Sequence, residues 1–317
     1  MVQKMRISDD IFALVGRTPL VYLNRLRENR PGVLAAKLEC HNPSGSIKDR
    51  IVLFMLHDAE TRGLVRPGTT IIESTSGNTG ISVAAYSARR GYHALLTMPE
   101  STSADRVRIL KAYGAQVVLT PAENGMRGAI LKAQELHEQL PGSYMLRQFL
   151  SSANPLAHTR TTAQEIWRDT GGQVSAVVAG IGTGGTISGI GRALKRLNSD
   201  VRIVGVEPKS LALLTESDAV LADSMRGSCG IDGIGAGFIP QTLDRSVIDE
   251  VIAVEDDEAR EAARRMARQE GILAGTSSGA AVHAALKVAE RPEFKEKLII
   301  VICPDNGLKY LSTELFE

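Results

Sequence analysis

The segment VSAVVAGIGTGGTISG, Val174 to Gly189, runs from seven mostly apolar residues through a glycine-rich turn into a helical pattern. An apolar run of that length, rich in valine and without polar alternation, predicts a strand buried on both faces, as in a parallel sheet. The same kind of run recurs as AAKLE (35–39), TIIES (70–74), ALLTM (94–98), QVVLT (116–120), VRIVGVE (201–207) and LIIVIC (298–303). Helix-length segments separate these runs, so the fold class is α/β. One helix is expected over IVLFMLHDAETRG, with Asp49 as its start signal and Gly63 beyond its end.

A chain of 317 residues, 43% of them hydrophobic, can fill two cores. LSSANP, Leu150 to Pro155, is small, polar and Pro-terminated, and is the expected crossing between two lobes. The net charge of +1 provides no field for gathering nucleic acid or an acidic membrane surface, so neither is expected as a partner. The opening MVQKMRISDD has no apolar signal region and the apolar runs stop short of a membrane span, so a cytoplasmic protein is expected. Cys40, Cys229 and Cys303 have no CxxC spacing and are expected to be reduced. His41 and His158 lack the partners of a metal site, and none is expected.

Three Gly/Ser/Thr-rich segments each follow a predicted strand and precede a helical pattern, which places them at the carboxyl edge of a sheet, where ligands bind. STSGNTG (74–80) offers N–H groups and hydroxyls suited to a carboxylate. GIGTGGTISG (180–189) has the glycines needed to turn successive N–H groups toward a phosphate. GTSSGAA (275–281) opens a helix with two hydroxyls. Gly180, Gly182 and Gly185 also satisfy a GxGxxG spacing, so a nicotinamide dehydrogenase stands as a rival reading. No GxxxxGK[ST] is present, which excludes a P-loop nucleotide site. Lys48, in NPSGSIKDR (42–50), decides between the readings. A lysine beside a phosphate cup, a carboxylate cradle and a hydroxyl-bearing helix end is what pyridoxal phosphate chemistry requires, the amine anchoring the cofactor and the cofactor acting as electron sink.

GRTPLV, NPSGSIKDR, STSGNTG, GMRGAI, QF with ANP, GIGTGGT, GIGAGFIP and GTSSGAA occur in that order along nearly the whole chain. With them the sequence resembles the cysteine synthase (O-acetylserine sulfhydrylase) family of fold-type II pyridoxal phosphate enzymes. The resemblance implies two open-sheet α/β domains, like the tryptophan synthase β chain, with pyridoxal 5'-phosphate between them. Residues 1–45 would add to the larger domain, 46–151 would form a smaller, mobile substrate-binding domain, and 152–317 the larger, phosphate-binding one. It implies Lys48 as Schiff-base lysine and acid/base, Asn78 beside the ring hydroxyl, Gly182, Thr183, Gly184, Gly185 and Thr186 as phosphate cup, and Ser277 at the pyridine nitrogen. Thr75, Ser76, Thr79, Gln148 and Gly233 would bind substrate. The implied reaction is a β-replacement through an aminoacrylate, O-acetyl-L-serine and sulfide giving L-cysteine and acetate, in a homodimer that can bind serine acetyltransferase. A member kept mainly as a regulatory partner of that acetyltransferase is the alternative of another class.

The sequence departs from the family at SCGIDGIG (228–235), where the sulfhydrylases commonly read like PHKIQGIG. Gly230 removes a long cation and Asp232 inserts an anion. Asp232 reads either as a turn aspartate paired with an arginine or as a general base for the incoming nucleophile. Hydrosulfide needs no base, whereas water, an amine or a neutral thiol does. Asp232 therefore opens two alternatives: L-cysteine as substrate, releasing hydrogen sulfide to give serine or lanthionine, and an O-phosphoserine/amine replacement such as synthesis of a diaminopropionate precursor. Arg147, where the sulfhydrylases often have asparagine, would suit a more anionic substrate.

Overall fold

The computed structural model describes residues 7–75, 77–215 and 229–317. Among them the strands are β1 (Leu20–Tyr22), β2 (Val33–Leu38), β3 (Thr70–Ser74), β4 (His93–Pro99), β5 (Gln116–Thr120), β6 (Tyr144–Met145), β7 (Val174–Gly180), β8 (Arg202–Pro208), β9 (Glu250–Val254) and β10 (Leu298–Cys303). They form two open sheets, a six-stranded one ordered β1-β2-β10-β7-β8-β9 and a four-stranded one ordered β5-β4-β3-β6. All pairings are parallel except β1 with β2. All seven apolar runs are strands. β1, β6 and β9 have no signal in the sequence: β1 and β9 are edge strands with little full burial, and β6 has two residues.

In both sheets one strand stands where the order of connection reverses. β7 leads to β8 and β9 on one side and lies against β10 on the other, while β3 leads to β4 and β5 and lies against β6. The crevice beyond such a strand is the ligand position of open α/β sheets. Thr75, just past β3, Gly180, the last residue of β7, and Pro304, just past β10, all line one cavity of about 160 Å³.

Helices pack on the sheets with their apolar sides inward. Ile51, Val52, Met55 and Leu56 of the helix Lys48–Thr61 join Ile81 and Leu96 in the core of the four-stranded sheet. The helix Thr276–Ala289 is buried nearly all round, its alanines packed with β10 and β7. Asp49 is not the cap of the first of these helices. The helix begins at Lys48, and the Asp49 carboxylate, in the first turn, accepts bonds from the Ser44 hydroxyl and, at 2.7 Å, from the Ser44 N–H. The aspartate thus folds the NPSG turn back on the helix start.

A closed ion network fixes the same helix from its other side. Arg50, fully buried, donates to both Glu39 oxygens at 2.7 and 2.9 Å and to both Glu165 oxygens at 2.8 Å. Lys37 donates to Glu165 at 2.8 Å and to the Thr18 carbonyl at 2.6 Å. Two cations meet two carboxylates, so burial leaves no net charge unpaired. Burial opposes ionisation of Glu165, but the Arg50 and Lys37 bonds outweigh it and hold that carboxyl at about 2.

Candidate active site

Lys48, Thr75, Asn78, Thr79, Gln148, Gly182, Thr183, Gly184, Thr186, Asp232, Gly233 and Ser277 all line the one cavity. Gly185 lies behind its wall, as the first residue of the helix Gly185–Leu197. Ser76 lies outside the described residues.

Lys48 is the first residue of its helix, so its side chain starts from the carboxyl edge of the sheets and reaches into the cavity. Its amine makes no hydrogen bond or ion pair to the protein among the described residues. Burial pushes its pKa down, Asp305 partly offsets this, and Lys309 adds to it. A lysine so placed has a larger neutral fraction than a solvated one and can act as nucleophile or base.

Opposite it, the turn Gly182–Thr186 passes into the helix Gly185–Leu197 with Gly184 in the left-handed region, at φ 79. Gly182 leaves no room for a side chain, since a Cβ there would collide with the Gly233 carbonyl oxygen. Asn154 donates to Thr183 Oγ1 at 3.0 Å, and the Thr242 hydroxyl donates to the Thr183 carbonyl. Behind Thr186, His158 bonds its hydroxyl at 3.2 Å and that of Thr162 at 2.9 Å. Burial, then the cations Arg50 and Lys48, hold His158 well below the usual histidine range, so it is a neutral, satisfied core histidine. The helix start, with its N–H groups and dipole, is suited to a phosphate. Ser277 lines the cavity from the first turn of its own helix, and its hydroxyl has no protein hydrogen bond among the described residues. Helix start, unengaged amine and unengaged hydroxyl together fit a phosphorylated aldehyde with a ring nitrogen.

The hydroxyl cradle forms the third side. Thr79 donates to Gln148 Oε1 at 2.6 Å, Gln148 Nε2 donates to the Ser74 carbonyl at 3.3 Å, and the Gly77 N–H donates to Thr75 Oγ1 at 3.2 Å. Thr75, accepting that bond, still has a proton to donate. Arg147 is exposed and does not line the cavity, so it is not placed to read an anionic substrate.

Sequence reasoning missed four residues. Asn78 donates to Asp305 Oδ2 at 2.7 Å and accepts from Lys309 Nζ at 2.7 Å, so both ends of its amide are engaged by the C-terminal segment. Tyr310 donates to the same Asp305 oxygen at 2.7 Å, and its ring lies 5.2 Å from the Arg106 guanidinium. Arg106 in turn donates to Asp232 Oδ2 at 2.7 Å, across the cavity mouth. Isolated polar residues with no motif gave no signal in the sequence. Asp232 is thus paired with an arginine, and its N–H is fixed by Thr276 Oγ1 at 3.0 Å. Gly230 donates its N–H to Asp256 at 2.9 Å. Burial pushes the Cys229 thiol up to about 11, which makes it an inert neutral group.

Among the described residues no group of His, Cys, Asp and Glu is arranged to hold a metal ion, and no helix is long and apolar enough to cross a membrane. Residues 11–305 match the family model described as pyridoxal-phosphate dependent enzyme. The chain is 48% identical to cysteine synthase A of Escherichia coli (strain K12) over 98% of this chain and 96% of that one. Among solved structures, cysteine synthase from Entamoeba histolytica superposes with a TM-score of 0.91 at 40% identity, covering 98% of this chain and 91% of that one. A hydrogen sulfide-producing enzyme from Fusobacterium nucleatum also superposes at 0.91, with 37% identity over 96% of this chain and all of that one.

Proposed function

We propose, from the premise that the chain belongs to the cysteine synthase family of pyridoxal-phosphate dependent enzymes, that it makes L-cysteine and acetate from O-acetyl-L-serine and sulfide. The observation that carries this reading is the convergence, on one unpaired lysine of lowered pKa, of a glycine-turned helix start and a hydroxyl cradle. Lys48 would hold the cofactor through its amine, the N–H groups of Gly182–Thr186 its phosphate, Ser277 its ring nitrogen and Asn78 its ring hydroxyl. When bound, pyridoxal phosphate draws electron density from the substrate Cα and acidifies the hydrogen there.

The protein's own residues supply the rest. Thr75, Thr79 and Gln148 orient the substrate carboxylate, which fixes where Cα lies relative to Lys48. Lys48 Nζ, once released, takes the Cα proton, and its lowered pKa keeps it receptive near neutral pH. In this reading the lobe 46–151 closes over 152–317, with residues 1–45 adding to the latter, and the Arg106–Asp232 pair is one contact between them, beside those of Asn78 with Asp305 and Lys309.

A second reading is favoured by Asp232 at the cavity. With L-cysteine as first substrate, hydrogen sulfide leaves and Asp232 takes the proton of an incoming water or thiol, giving serine or lanthionine; O-phosphoserine with an amine is a further pair. A homodimer is proposed on the exposed apolar side chains of Leu308 and Leu311. A serine acetyltransferase tail, ending in a carboxylate, would dock in the same cradle, and the cytoplasm is the proposed compartment. The test crosses several β-substituted alanines with several nucleophiles and identifies products by mass. Cysteine formed fastest from acetylserine and sulfide supports the first reading. Lanthionine or serine formed faster from cysteine supports the second, and no product from any pair removes both.

A further inference from the structure

Asn154 stands between the hydroxyl cradle and the glycine-rich turn. It is the second residue of the helix Ala153–Arg160, and it is fully buried. Its Nδ2 donates both hydrogens, one to the Gln148 carbonyl at 2.8 Å and one to Thr183 Oγ1 at 3.0 Å. A carbonyl oxygen only accepts, so the amide nitrogen must face Gln148; the opposite orientation would set two oxygens against each other. The Asn154 Oδ1 has no hydrogen-bond partner among the described residues and lies against Gly185, where a Cβ would collide with it. A buried amide oxygen left unpaired costs free energy, and the two bonds from the nitrogen offset that cost.

The same valence count settles the Thr183 hydroxyl. A hydroxyl has two lone pairs and one proton. Thr183 Oγ1 accepts from Asn154 and, at 3.4 Å, from the Gly185 N–H, so both lone pairs are taken. It donates to no group among the described residues, and Thr183 lines the cavity. What the hydroxyl has left for a ligand is its proton, so the ligand atom it meets must be an acceptor. The backbone of Thr183 is tied to the same segment as its side chain. Thr242 donates its N–H to the Phe149 carbonyl at 3.3 Å and its hydroxyl to the Thr183 carbonyl. Thr183 is thereby fastened, through Asn154 and Thr242, to two consecutive carbonyls, and the first of them belongs to the residue whose side chain meets Thr79 in the cradle.

We infer that Asn154 is a positioning residue shared by two binding sites: its amide nitrogen turns the Thr183 hydroxyl to donate to the cofactor phosphate, and holds the Gln148 backbone that presents the cradle to the substrate carboxylate. The inference rests on the proposed function, since it takes the turn as phosphate site and the cradle as carboxylate site. Asn154 does not line the cavity, so it acts through the residues it holds. A neutral amide is the group this position needs. A lysine or arginine would carry a buried charge, and an acid would accept the Thr183 proton and draw it away from the cavity.

The experiment titrates the full-length chain, freed of cofactor, with pyridoxal 5'-phosphate and with pyridoxal, which carries the same aldehyde and no phosphate. Dissociation constants are read from the visible absorbance of the bound ligand, and KM for O-acetyl-L-serine is measured at saturating pyridoxal phosphate and sulfide. Wild type should prefer the phosphorylated form. Asn154→Ala should weaken that form about tenfold and leave pyridoxal unchanged, whereas a general loss of structure would weaken both alike. Thr183→Val, nearly the same in shape, should show the same loss, and the double variant should be no worse than Thr183→Val, because Asn154 reaches the phosphate through that hydroxyl. Asn154→Ala should also raise the KM about threefold to tenfold, an effect Thr183→Val should lack, since it removes the phosphate arm alone.

Equal losses for the two ligands in Asn154→Ala, or additive losses in the double variant, would overturn the inference. An unchanged KM in Asn154→Ala would overturn its cradle arm. Thr183→Val keeps the test alive if the Asn154 variants fold poorly: an undiminished preference for the phosphorylated form in that variant would overturn the phosphate arm by itself. A wild type that binds pyridoxal and its phosphate equally would instead remove the phosphate site from the proposed function, and one that releases no acetate from acetylserine would remove the reaction. Those two controls separate failure of the proposed function from failure of the inference.

Discussion

Lys48 and Arg50 stand two residues apart at the start of one helix, and the structure treats them in opposite ways. Arg50 is surrounded by four carboxylate oxygens and the Thr18 hydroxyl. Lys48, facing the cavity, has no protein partner among the described residues, and burial lowers its pKa. A saturated cation holds a fold together and is chemically silent. An unsaturated one keeps its lone pair within reach and has spare valence for a ligand. The helix start is rigid on one side because of Arg50 and reactive on the other because Lys48 makes no hydrogen bond or ion pair among the described residues.

The largest test of this contrast is at Lys48. Lys48→Ala should lower turnover by about 10⁴-fold or more, since anchor and proton carrier vanish together. The visible absorbance that pyridoxal phosphate gives the wild type should be lost or displaced, while thermal unfolding without cofactor should stay nearly unchanged. Arg50→Ala should do the reverse. It leaves Glu39 buried without a cation and Glu165 with Lys37 alone, which costs about 3–5 kcal/mol and should appear as a lower denaturant midpoint and poor soluble yield. Normal stability in Arg50→Ala would break the comparison.

The two regions were not equally legible in the sequence. β3, β7 and β10 fall where the apolar runs placed them, because a strand buried on both faces must be largely apolar. The loops after β3 and β7 were legible as well, since close approach of backbone to a ligand demands glycine and small hydroxyls. The Arg50 network was not, for its members Lys37, Glu39 and Glu165 look like surface charges until tertiary folding brings them together. Asp305, Lys309, Tyr310 and Arg106 were missed for the same reason: each touches a residue far along the chain, Asp305 and Lys309 at Asn78, Arg106 at Asp232 and Tyr310 at Arg106. Asp49 was misread because an acid at a helix start resembles a cap, and here it serves the turn before it.

Asp232 falls between the two extremes, and so provides a smaller test. It is a cavity residue engaged by a cation, with its side chain 41% exposed. Asp232→Asn removes basicity and keeps size. As a base, it should slow release of product with water or a neutral thiol as nucleophile by about 10²-fold and leave hydrosulfide unaffected. Should all nucleophiles react at wild-type speed, Asp232 belongs with Arg50 as a structural partner, and its pairing with Arg106 is its whole role. Stopped-flow absorbance with acetylserine or cysteine as first substrate distinguishes these outcomes.

The finest comparison uses one kind of side chain in both regions. The Thr18 hydroxyl is fully used: it donates to Glu39 Oε1 at 2.7 Å and accepts from Arg50 Nη2 at 3.2 Å. The Thr75 hydroxyl accepts from the Gly77 N–H and has its own proton to offer a ligand. Removing each hydroxyl while keeping the β-branched or small shape, as Thr18→Val and Thr75→Ala, asks where spare hydrogen-bonding capacity lies. Thr18→Val should cost about 1–3 kcal/mol of stability, because it strips a buried charged network of a donor, and should leave KM for the amino acid unchanged. Thr75→Ala should cost little stability and retain the cofactor, but raise that KM about tenfold, the value of one hydrogen bond to a charged ligand. Equilibrium unfolding and steady-state kinetics on the two variants measure both quantities. If each variant changed stability and KM alike, saturation would not be what separates the two sides of the helix, and Lys48 would owe its reactivity to its exposure to the cavity alone.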